Sequence, residues 1–227
     1  MANIAATQAE AEGAEVIAID ERDADVPLSR SGRRQAQALG RWMRSHRDDI
    51  DVFYASPYLR ARETLSIALA SDDTPATALS DERLRDRELG ILDLLTRVGV
   101  ARRHPEEAER RRHLGKFYHR PPGGESWADV ALRLRSFLGD AMAAPGDVAL
   151  IVAHDAVVMI LLSLLLPLEE AELLDFAASH TVLNASVTHV IRTDEGWKLV
   201  EFSDVSHLED EGVPVTVHPG SPDVQPE

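Results

Sequence analysis

Two turns in the sequence, each expected to lead from a buried strand into a helix, carry side chains that suit anion binding. Arg60 follows the apolar run 51–55, and His154 follows the apolar run 148–153. Ligands of open α/β sheets bind beyond the carboxyl ends of the strands, where the free N–H groups of helix N-termini attract phosphate. An arginine and a histidine that meet there would bind a phosphate or another oxyanion. Taken singly, Arg60 fits an ordinary surface arginine and His154 an ordinary buried histidine, so the prediction depends on the pair.

A third segment, residues 84–90, is expected to lie in a loop near the same sheet edge. It reads Leu-Arg-Asp-Arg-Glu-Leu-Gly, follows a possible short strand and ends in a glycine. A carboxyl group such as that of Asp86, held close to phosphate oxygens, can have a raised pKa and act as a general acid. A solvated run of charges explains the same residues, and spacing alone favours that simpler interpretation.

Strand-like and helix-like runs alternate along most of the chain, which predicts an α/β fold. The predicted strands are residues 16–20, 51–55 and 148–153, with a closing hairpin of residues 186–193 and 197–203. Ser29 or Ser31 is expected to cap a helix that runs to His46, and Ser56-Pro57 to open the next one. Residues 155–166 are expected to form an apolar helix. The sequence Ser-Trp-Ala-Asp from Ser126 has the form of a capping box, and an apolar stripe follows it.

Composition limits the classes of protein to which the chain can belong. With 227 residues, 44% of them hydrophobic, the chain is long enough for one well-packed domain. The net charge of −15 argues against binding to nucleic acid or to anionic membranes. There is no cysteine, which fits a cytoplasmic location, and the longest apolar run (156–166) is too short to span a bilayer. We expect a soluble cytoplasmic protein, and a homodimer remains open.

Five short motifs occur in one order along the chain and carry a resemblance to a known family. They are Leu28-Ser29 with Gly32-Arg33 and Gln35-Ala36, Ser56-Pro57 with Arg60-Ala61 and Thr64, Leu84 with Asp86 and Gly90, Gly123-Gly124-Glu125-Ser126, and Val152-Ala153-His154-Asp155. From about Asp25 to Leu208 the chain resembles the histidine phosphatase superfamily, which has the phosphoglycerate-mutase-like fold. The resemblance implies a three-layer α/β/α sandwich with a mostly parallel sheet.

The resemblance also implies a phosphomonoester site and a role for individual residues. Arg60 would bind the transferred phosphoryl group, His154 would bond to its oxygens, and Asp86 would protonate the leaving oxygen. The residues implied to bind substrate are Arg87, Gly124, Glu125, Ser126, Asp155 and Asn3. The ligand would be a small phosphorylated metabolite or inorganic phosphate, with no metal and no organic cofactor, because this chemistry passes the phosphoryl group through a histidine.

One departure from the family pattern decides what activity to expect. The family's nucleophilic histidine lies in an Arg-His-Gly motif at the end of the first strand, and residues 1–227 contain no such motif. The nearest string, Arg-His-Leu-Gly from Arg112, does not follow an apolar strand, so it does not replace the motif. The first strand is central in the family's sheet, and its absence would leave two strands with unpaired edges unless residues 16–20 fill the gap.

Three interpretations of the chain follow. It is a histidine-type phosphatase, or a related phosphomutase, whose native polypeptide continues upstream through Arg-His-Gly. Alternatively, it is a non-catalytic protein that keeps Arg60 and His154, either a binder of phosphorylated ligands or an interaction module, and it would bind phosphate or sulfate without turnover. A third interpretation treats the motifs as coincidental and predicts that Arg60 and His154 do not converge. Under the first two, residues 1–227 by themselves should show little or no phosphohydrolase activity, so whether this chain is itself an enzyme stays open.

The expected organisation is a single domain over residues 1–207, followed by an acidic, proline-containing mobile tail over residues 208–227. Within the domain, residues 100–125 are expected to form an insert over the site. The insert carries a basic stretch, Arg102–Arg120. This stretch would either attract an anionic substrate as a lid or rim, or form an ordinary solvated pair of helices.

Overall fold

A computed structural model of the chain describes residues 2–70 and 78–217, and the side chains from Ile4 onwards. The strands are β1 (Val52–Ala55), β2 (Ala78–Ser80), β3 (Ala149–Val152), β4 (Val187–Thr193) and β5 (Gly196–Asp204). The helices are α1 (Ala2–Glu12), α2 (Arg30–His46), α3 (Leu59–Leu69), α4 (Arg97–Arg103), α5 (Pro105–Tyr118), α6 (Trp127–Ala143), α7 (Asp155–Leu165), α8 (Glu170–Ser179) and α9 (Ser206–Asp210). No helix in these described ranges is both long enough and apolar enough to cross a membrane.

The sheet that positions the site has three parallel strands in the order β2-β1-β3. Phe53 lies opposite Ala78 on one side and Leu150 on the other, and Ala55 lies opposite Ser80 and Val152. The carboxyl ends of all three strands therefore meet at one edge. The predicted α/β fold with a mostly parallel sheet is confirmed.

Alternation along β1 divides the core into two halves. Phe53 and Ala55 pack in a cluster with Leu39 and Met43 of α2 and Leu65 of α3. Tyr54 points to the opposite face and packs in a second cluster with apolar residues of α6 and α7. Because successive side chains of a strand point to opposite faces, this division gives three layers, with helices on both sides of the sheet.

Local sequence signals explain where two of the covering helices begin. Ser29 caps α2, since its hydroxyl accepts a hydrogen bond from the backbone N–H of Gly32 at 3.1 Å. At α6, Ser126 accepts from the backbone N–H of Asp129, and the Asp129 carboxylate accepts from the backbone N–H of Ser126. Both caps agree with the sequence prediction. The expected stripe of α6 is its buried face, formed by Trp127, Val130, Leu134 and Phe137.

Helix α3 starts later than the sequence predicts. Ser56-Pro57 is expected to open this helix, but the first helical residue is Leu59 and the preceding cap is Tyr58. Tyr58 has the extended backbone of a capping residue without a side-chain cap. The hydroxyl of Ser56 is used elsewhere, because it bonds to His154 at 2.8 Å.

The second sheet is the predicted hairpin, in which β4 and β5 pair antiparallel around Asp194 and Glu195. Among the described residues, β3 pairs with β1 and β4 pairs with β5, and no ladder joins the two sheets. Although the sequence predicts that β3 is a buried strand, three of its four residues are half-buried and Ala149 is exposed. Its outer edge lacks a neighbouring strand within the described part of the chain, which explains the higher exposure.

Residues 16–20 do not fill the gap beside β3. Val16 forms an isolated antiparallel bridge with Leu95, and the backbone N–H of Ile17 donates to the carbonyl of Leu94 at 2.8 Å. The predicted strand over these residues is therefore wrong. A loop pairing at the start of α4 holds the segment instead.

Part of the region expected to be a mobile tail packs onto the domain. Leu208 is fully buried in α9, and Val217 bridges to Leu183. The side-chain amide of Gln35 donates to the carbonyl of Pro214 and to the hydroxyl of Thr216, both at 2.9 Å. Residues 208–217 thus belong to the folded body, and residues 218–227 lie outside the described residues.

Candidate functional site

The two strand-to-helix turns converge on the carboxylate of Asp86. The Nη2 atom of Arg60 donates to Oδ2 of Asp86 at 2.8 Å, and Nδ1 of His154 lies 3.3 Å from the same oxygen. Arg60 lies in the first turn of α3, while His154 is the residue before α7. The interpretation of the motifs as coincidental, which required Arg60 and His154 to lie apart, is therefore wrong.

His154 is a buried imidazole held between a carboxylate and a hydroxyl. Its side chain is 6% exposed, and its Nε2 atom lies 2.8 Å from Oγ of Ser56, which is fully buried. The ring of Tyr58 packs edge-on against it at 5.2 Å. Burial lowers the pKa of His154 below its usual range, although the Asp86 carboxylate opposes the shift. A neutral imidazole with its proton on Nδ1 fits this setting, because the Asp86 carboxylate only accepts hydrogen bonds.

Arg60 is a half-buried cation between two carboxylates. Besides the bond to Asp86, its Nη1 and Nη2 atoms each donate to one carboxylate oxygen of Asp23 at 3.0 Å. The guanidinium also lies over the ring of Tyr58, with its carbon 4.9 Å from the ring centroid. Burial alone would lower the pKa of Arg60, but Asp86 and Asp23 outweigh it and the pKa is raised. The arginine therefore stays charged at every pH relevant to function.

The loop that carries Asp86 is fixed from behind by helix α6. Arg133, which is 10% exposed, donates to the carbonyl of Asp86 at 3.2 Å and to the carbonyl of Arg83 at 2.5 Å. The backbone N–H of Arg87 donates to Oδ1 of Asp86 at 2.8 Å, which orients the carboxylate. At the end of the loop a side chain on Gly90 would overlap the carbonyl of Pro122, since the backbones touch there.

The segment of Gly124, Glu125 and Ser126, expected beside the substrate, holds the Asp86 loop in place. Glu125 accepts from Arg133 with both carboxylate oxygens, at 2.9 and 3.0 Å, and from Arg85 at 2.6 Å. A side chain on Gly124 would meet the carbonyl of Glu88, so the two loops lie backbone to backbone. In this arrangement Glu125 positions the loop, and Ser126 caps α6.

The side chain of Arg87 lies against the same two loops. It donates to the carbonyl of Glu125 at 2.7 Å and to the carbonyl of His119 at 3.3 Å. Asp155 opens helix α7, where its carboxylate accepts from the backbone N–H of Ala156 at 2.7 Å. The side chain of Asn3 lies outside the described residues.

Sequence reasoning misses four contributors to the site. It gives Ser56 only the role of opening a helix, and it gives no role to Asp23, Arg133 or Tyr58. The hydroxyl of Tyr58 donates to Glu88 at 2.9 Å, and burial followed by the Glu88 charge raises the pKa of Tyr58. A signal for Ser56 and Tyr58 is present, since both lie in the turn between β1 and α3 that carries Arg60.

The arginines of the basic stretch pair with carboxylates on the protein. Arg102 and Arg103 both bond to Glu15, and Arg110 bonds to Glu107 at 2.8 Å. Such pairing fits the solvated helix pair better than a strongly positive rim. No group of three or more His, Asp or Glu side chains among the described residues is arranged to hold a metal ion.

Comparison with known proteins assigns the chain to a family. The chain is 38% identical over 117 residues to 2,3-bisphosphoglycerate-dependent phosphoglycerate mutase 2 of Gloeobacter violaceus, covering 50% of this chain and 51% of that protein. It therefore spans about half the length of that relative. It is also 28% identical over 185 residues to the uncharacterized phosphatase PhoE of Bacillus subtilis, covering 81% of this chain and 85% of that protein.

A solved structure and a family model point the same way. The structure of mycobacterial glucosyl-3-phosphoglycerate phosphatase with VO3 superimposes with a TM-score of 0.66 at 26% identity, over 80% of this chain and 88% of that one. The sequence model of the histidine phosphatase superfamily (branch 1) matches residues 11–205. The match covers most of the chain and includes Arg60, Asp86 and His154, so this protein belongs to the histidine phosphatase superfamily.

Proposed function

We propose that this chain binds the phosphoryl group of small phosphomonoesters at Arg60, His154 and Asp86. The observation that carries the proposal is the meeting of Arg60 and His154 at one oxygen of Asp86. A fixed arginine fork can donate two parallel hydrogen bonds to a phosphate. Two supporting facts are the VO3 complex of a structural relative and the family membership of the chain.

We infer that residues 1–227 bind phosphomonoesters without turnover. They contain no Arg-His-Gly, the motif that carries the family's nucleophilic histidine, and His154, which borders Arg60 and Asp86, is buried against Ser56. With a histidine supplied from outside these residues, its ring nitrogen would bond to phosphorus as the P–O bond to the leaving group breaks. Asp86, which would take up a proton when the dianionic phosphoryl group binds beside it, would give that proton to the leaving oxygen. As a carboxylate again, it would accept a proton from the water that attacks phosphorus, and the P–N bond would break to release phosphate.

Calorimetric titration with inorganic phosphate tests the binding site. Arg60→Ala should weaken binding by about 1.5–3 kcal/mol, roughly ten- to a hundredfold, because a charge-assisted pair of bonds is lost. Arg62→Ala is the matched control, since Arg62 is an exposed arginine on the same helix. An equal loss of phosphate affinity in the two variants, or no loss in either, would show that Arg60 does not bind the phosphate.

Turnover of p-nitrophenyl phosphate tests the second part of the proposal. The purified chain should release no p-nitrophenol above the rate in buffer alone. Rapid turnover that is abolished by His154→Ala would show that these residues contain a working nucleophile. Such a result would overturn the inference of binding without turnover and leave the phosphate site in place.

A further inference from the structure

The carboxylate of Asp23 already occupies the face of Arg60 that a phosphate would need. Nη1 and Nη2 of Arg60 donate to the two oxygens of this carboxylate at 3.0 Å each, and Nη1 also donates to the Asp23 carbonyl at 2.7 Å. Two parallel bonds from one guanidinium to two oxygens of an anion are also the arrangement in which arginine binds phosphate. The Asp23 carboxylate thus binds to Arg60 in the way expected of a phosphate.

The hydrogen bonds of Arg60 leave little capacity for a second anion. A guanidinium has five N–H groups, four of them on Nη1 and Nη2. Three bonds from these atoms go to Asp23, and a fourth goes from Nη2 to Asp86 at 2.8 Å. A phosphate could therefore bind to both Nη atoms only after Asp23 has moved, because Asp86 accepts from Nη2 alone.

Charge balance leads to the same conclusion. Arg60 contributes one positive charge, whereas Asp23 and Asp86 contribute two negative charges within 3.0 Å of it. Burial keeps His154 neutral, since it lowers the pKa of the imidazole. Nearby, burial and then the charge of Asp23 raise the pKa of Asp93. A dianion that approached this arrangement would meet net negative charge. Movement of Asp23 away from Arg60 would reduce the repulsion between the dianion and the site.

Asp23 is the more easily displaced of the two carboxylates. The Asp86 loop is held by the backbone N–H of Arg87 and by Arg133, which is itself bonded to Glu125. Asp23 instead begins a single 3-10 turn, Asp23–Asp25, that has no side-chain cap. The side-chain bonds shown for Asp23 all go to Arg60, and one third of its side chain is exposed.

We propose that Asp23 is an internal anionic ligand of Arg60 that competes with phosphate and sets the affinity of the site. The proposal depends on the function proposed above, because it concerns the same arginine. Phosphate binds to the fraction of molecules in which Asp23 has released Arg60, so the apparent dissociation constant rises as that fraction falls. In the released state the turn swings away while Val26, which is 2% exposed, remains anchored in the core.

Calorimetric titration with inorganic phosphate on the full chain tests the proposal. Asp23→Asn removes the competing charge with little change in shape and should tighten phosphate binding about tenfold or more, the effect of losing one charge-assisted contact. Asp25→Asn is the matched control, because it removes the same charge from the same turn at a residue paired with Arg22. The control should stay within about twofold of the parent, the margin of a peripheral charge change. Circular dichroism confirms folding, and Asp23→Ser serves as a second variant.

The outcomes separate this proposal from the one on which it depends. Equal affinity of Asp23→Asn and the parent, with binding still lost in Arg60→Ala, overturns the competition and leaves the phosphate site intact. Weaker binding in Asp23→Asn and Asp23→Ser also overturns it, since Asp23 would then be holding Arg60 in its binding geometry. Absence of phosphate binding in the parent and in both Asp23 variants contradicts the proposed function itself, and the competition with it.

Discussion

Arg133 and Glu125 form a two-bond ion pair that connects helix α6 to the loop of Asp86. Nε and Nη2 of Arg133 donate to the two carboxylate oxygens of Glu125 at 2.9 and 3.0 Å, and both side chains are less than 15% exposed. The same Nη2 atom donates to the carbonyl of Asp86 at 3.2 Å. The position of Asp86 therefore depends on Arg133, which is not one of the three residues proposed to bind phosphate.

Substitution of Arg133 should reduce both stability and phosphate affinity. Arg133→Ala leaves Glu125 buried with one fewer partner, so the free energy of unfolding should fall by about 3–5 kcal/mol, the cost of breaking a buried pair. Urea denaturation measures this loss, with Arg135→Ala as a control that changes the free energy by less than about 0.5 kcal/mol. Arg135 is exposed on the same helix.

Phosphate titration of a milder variant separates positioning from simple stability. Arg133→Lys keeps the charge but loses the planar fork, so it should bind phosphate more weakly than the parent at a temperature where both are folded. Unchanged affinity in a folded Arg133→Lys variant would limit Arg133 to a structural role.

The packing of α6 on the sheet should account for a large part of the stability. Phe137 is 1% exposed and meets the ring of Tyr54 edge-on at 5.2 Å. Phe137→Ala should lower the free energy of unfolding by about 3–5 kcal/mol because it leaves a cavity between α6 and β1. Leu132 on the same helix is 65% exposed, so Leu132→Ala should change the free energy of unfolding by less than about 0.5 kcal/mol. Similar losses from the two variants would contradict the three-layer packing.

Features encoded by neighbouring residues could be predicted from the sequence. The caps at Ser29 and Ser126, the apolar strand β1 and the β4–β5 hairpin all depend on contacts within a few positions. The meeting of Arg60 and His154 could also be predicted, because the carboxyl ends of adjacent parallel strands share an edge.

Contacts between distant parts of the chain could not be predicted in this way. Asp23 lies 37 positions from Arg60, and Arg133 lies 47 positions from Asp86. Neither spacing is a signal, since both pairings depend on how the loops pack after the sheet has formed. The exposure of β3 escapes prediction for the same reason, because it depends on what lies beside the strand.

Three buried histidines should make the free energy of unfolding depend on pH. Burial is the main cause that lowers the pKa of His119, His154 and His207 in the folded state. In the unfolded chain a histidine side chain has a pKa of about 6.5. As the pH falls below that value, the unfolded state takes up protons that the folded state does not, so the free energy of unfolding falls. The slope approaches about 1.4 kcal/mol per pH unit for each such histidine.

Urea denaturation between about pH 7.5 and 5.5 measures this slope. The interval lies above the usual pKa range of Asp and Glu, so most carboxyl groups do not titrate within it. Asp93 works in the opposite direction, because burial and the Asp23 charge raise its pKa, so its protonation favours the folded state. His154→Gln should remove one histidine's share of the slope whatever its effect on stability at pH 7.5, since glutamine does not titrate. A slope that is unchanged in His154→Gln would show that His154 takes up its proton in the folded protein as readily as in the unfolded chain. The neutral imidazole in the charge balance on which the competition between Asp23 and phosphate depends would then have to be replaced by a cationic one.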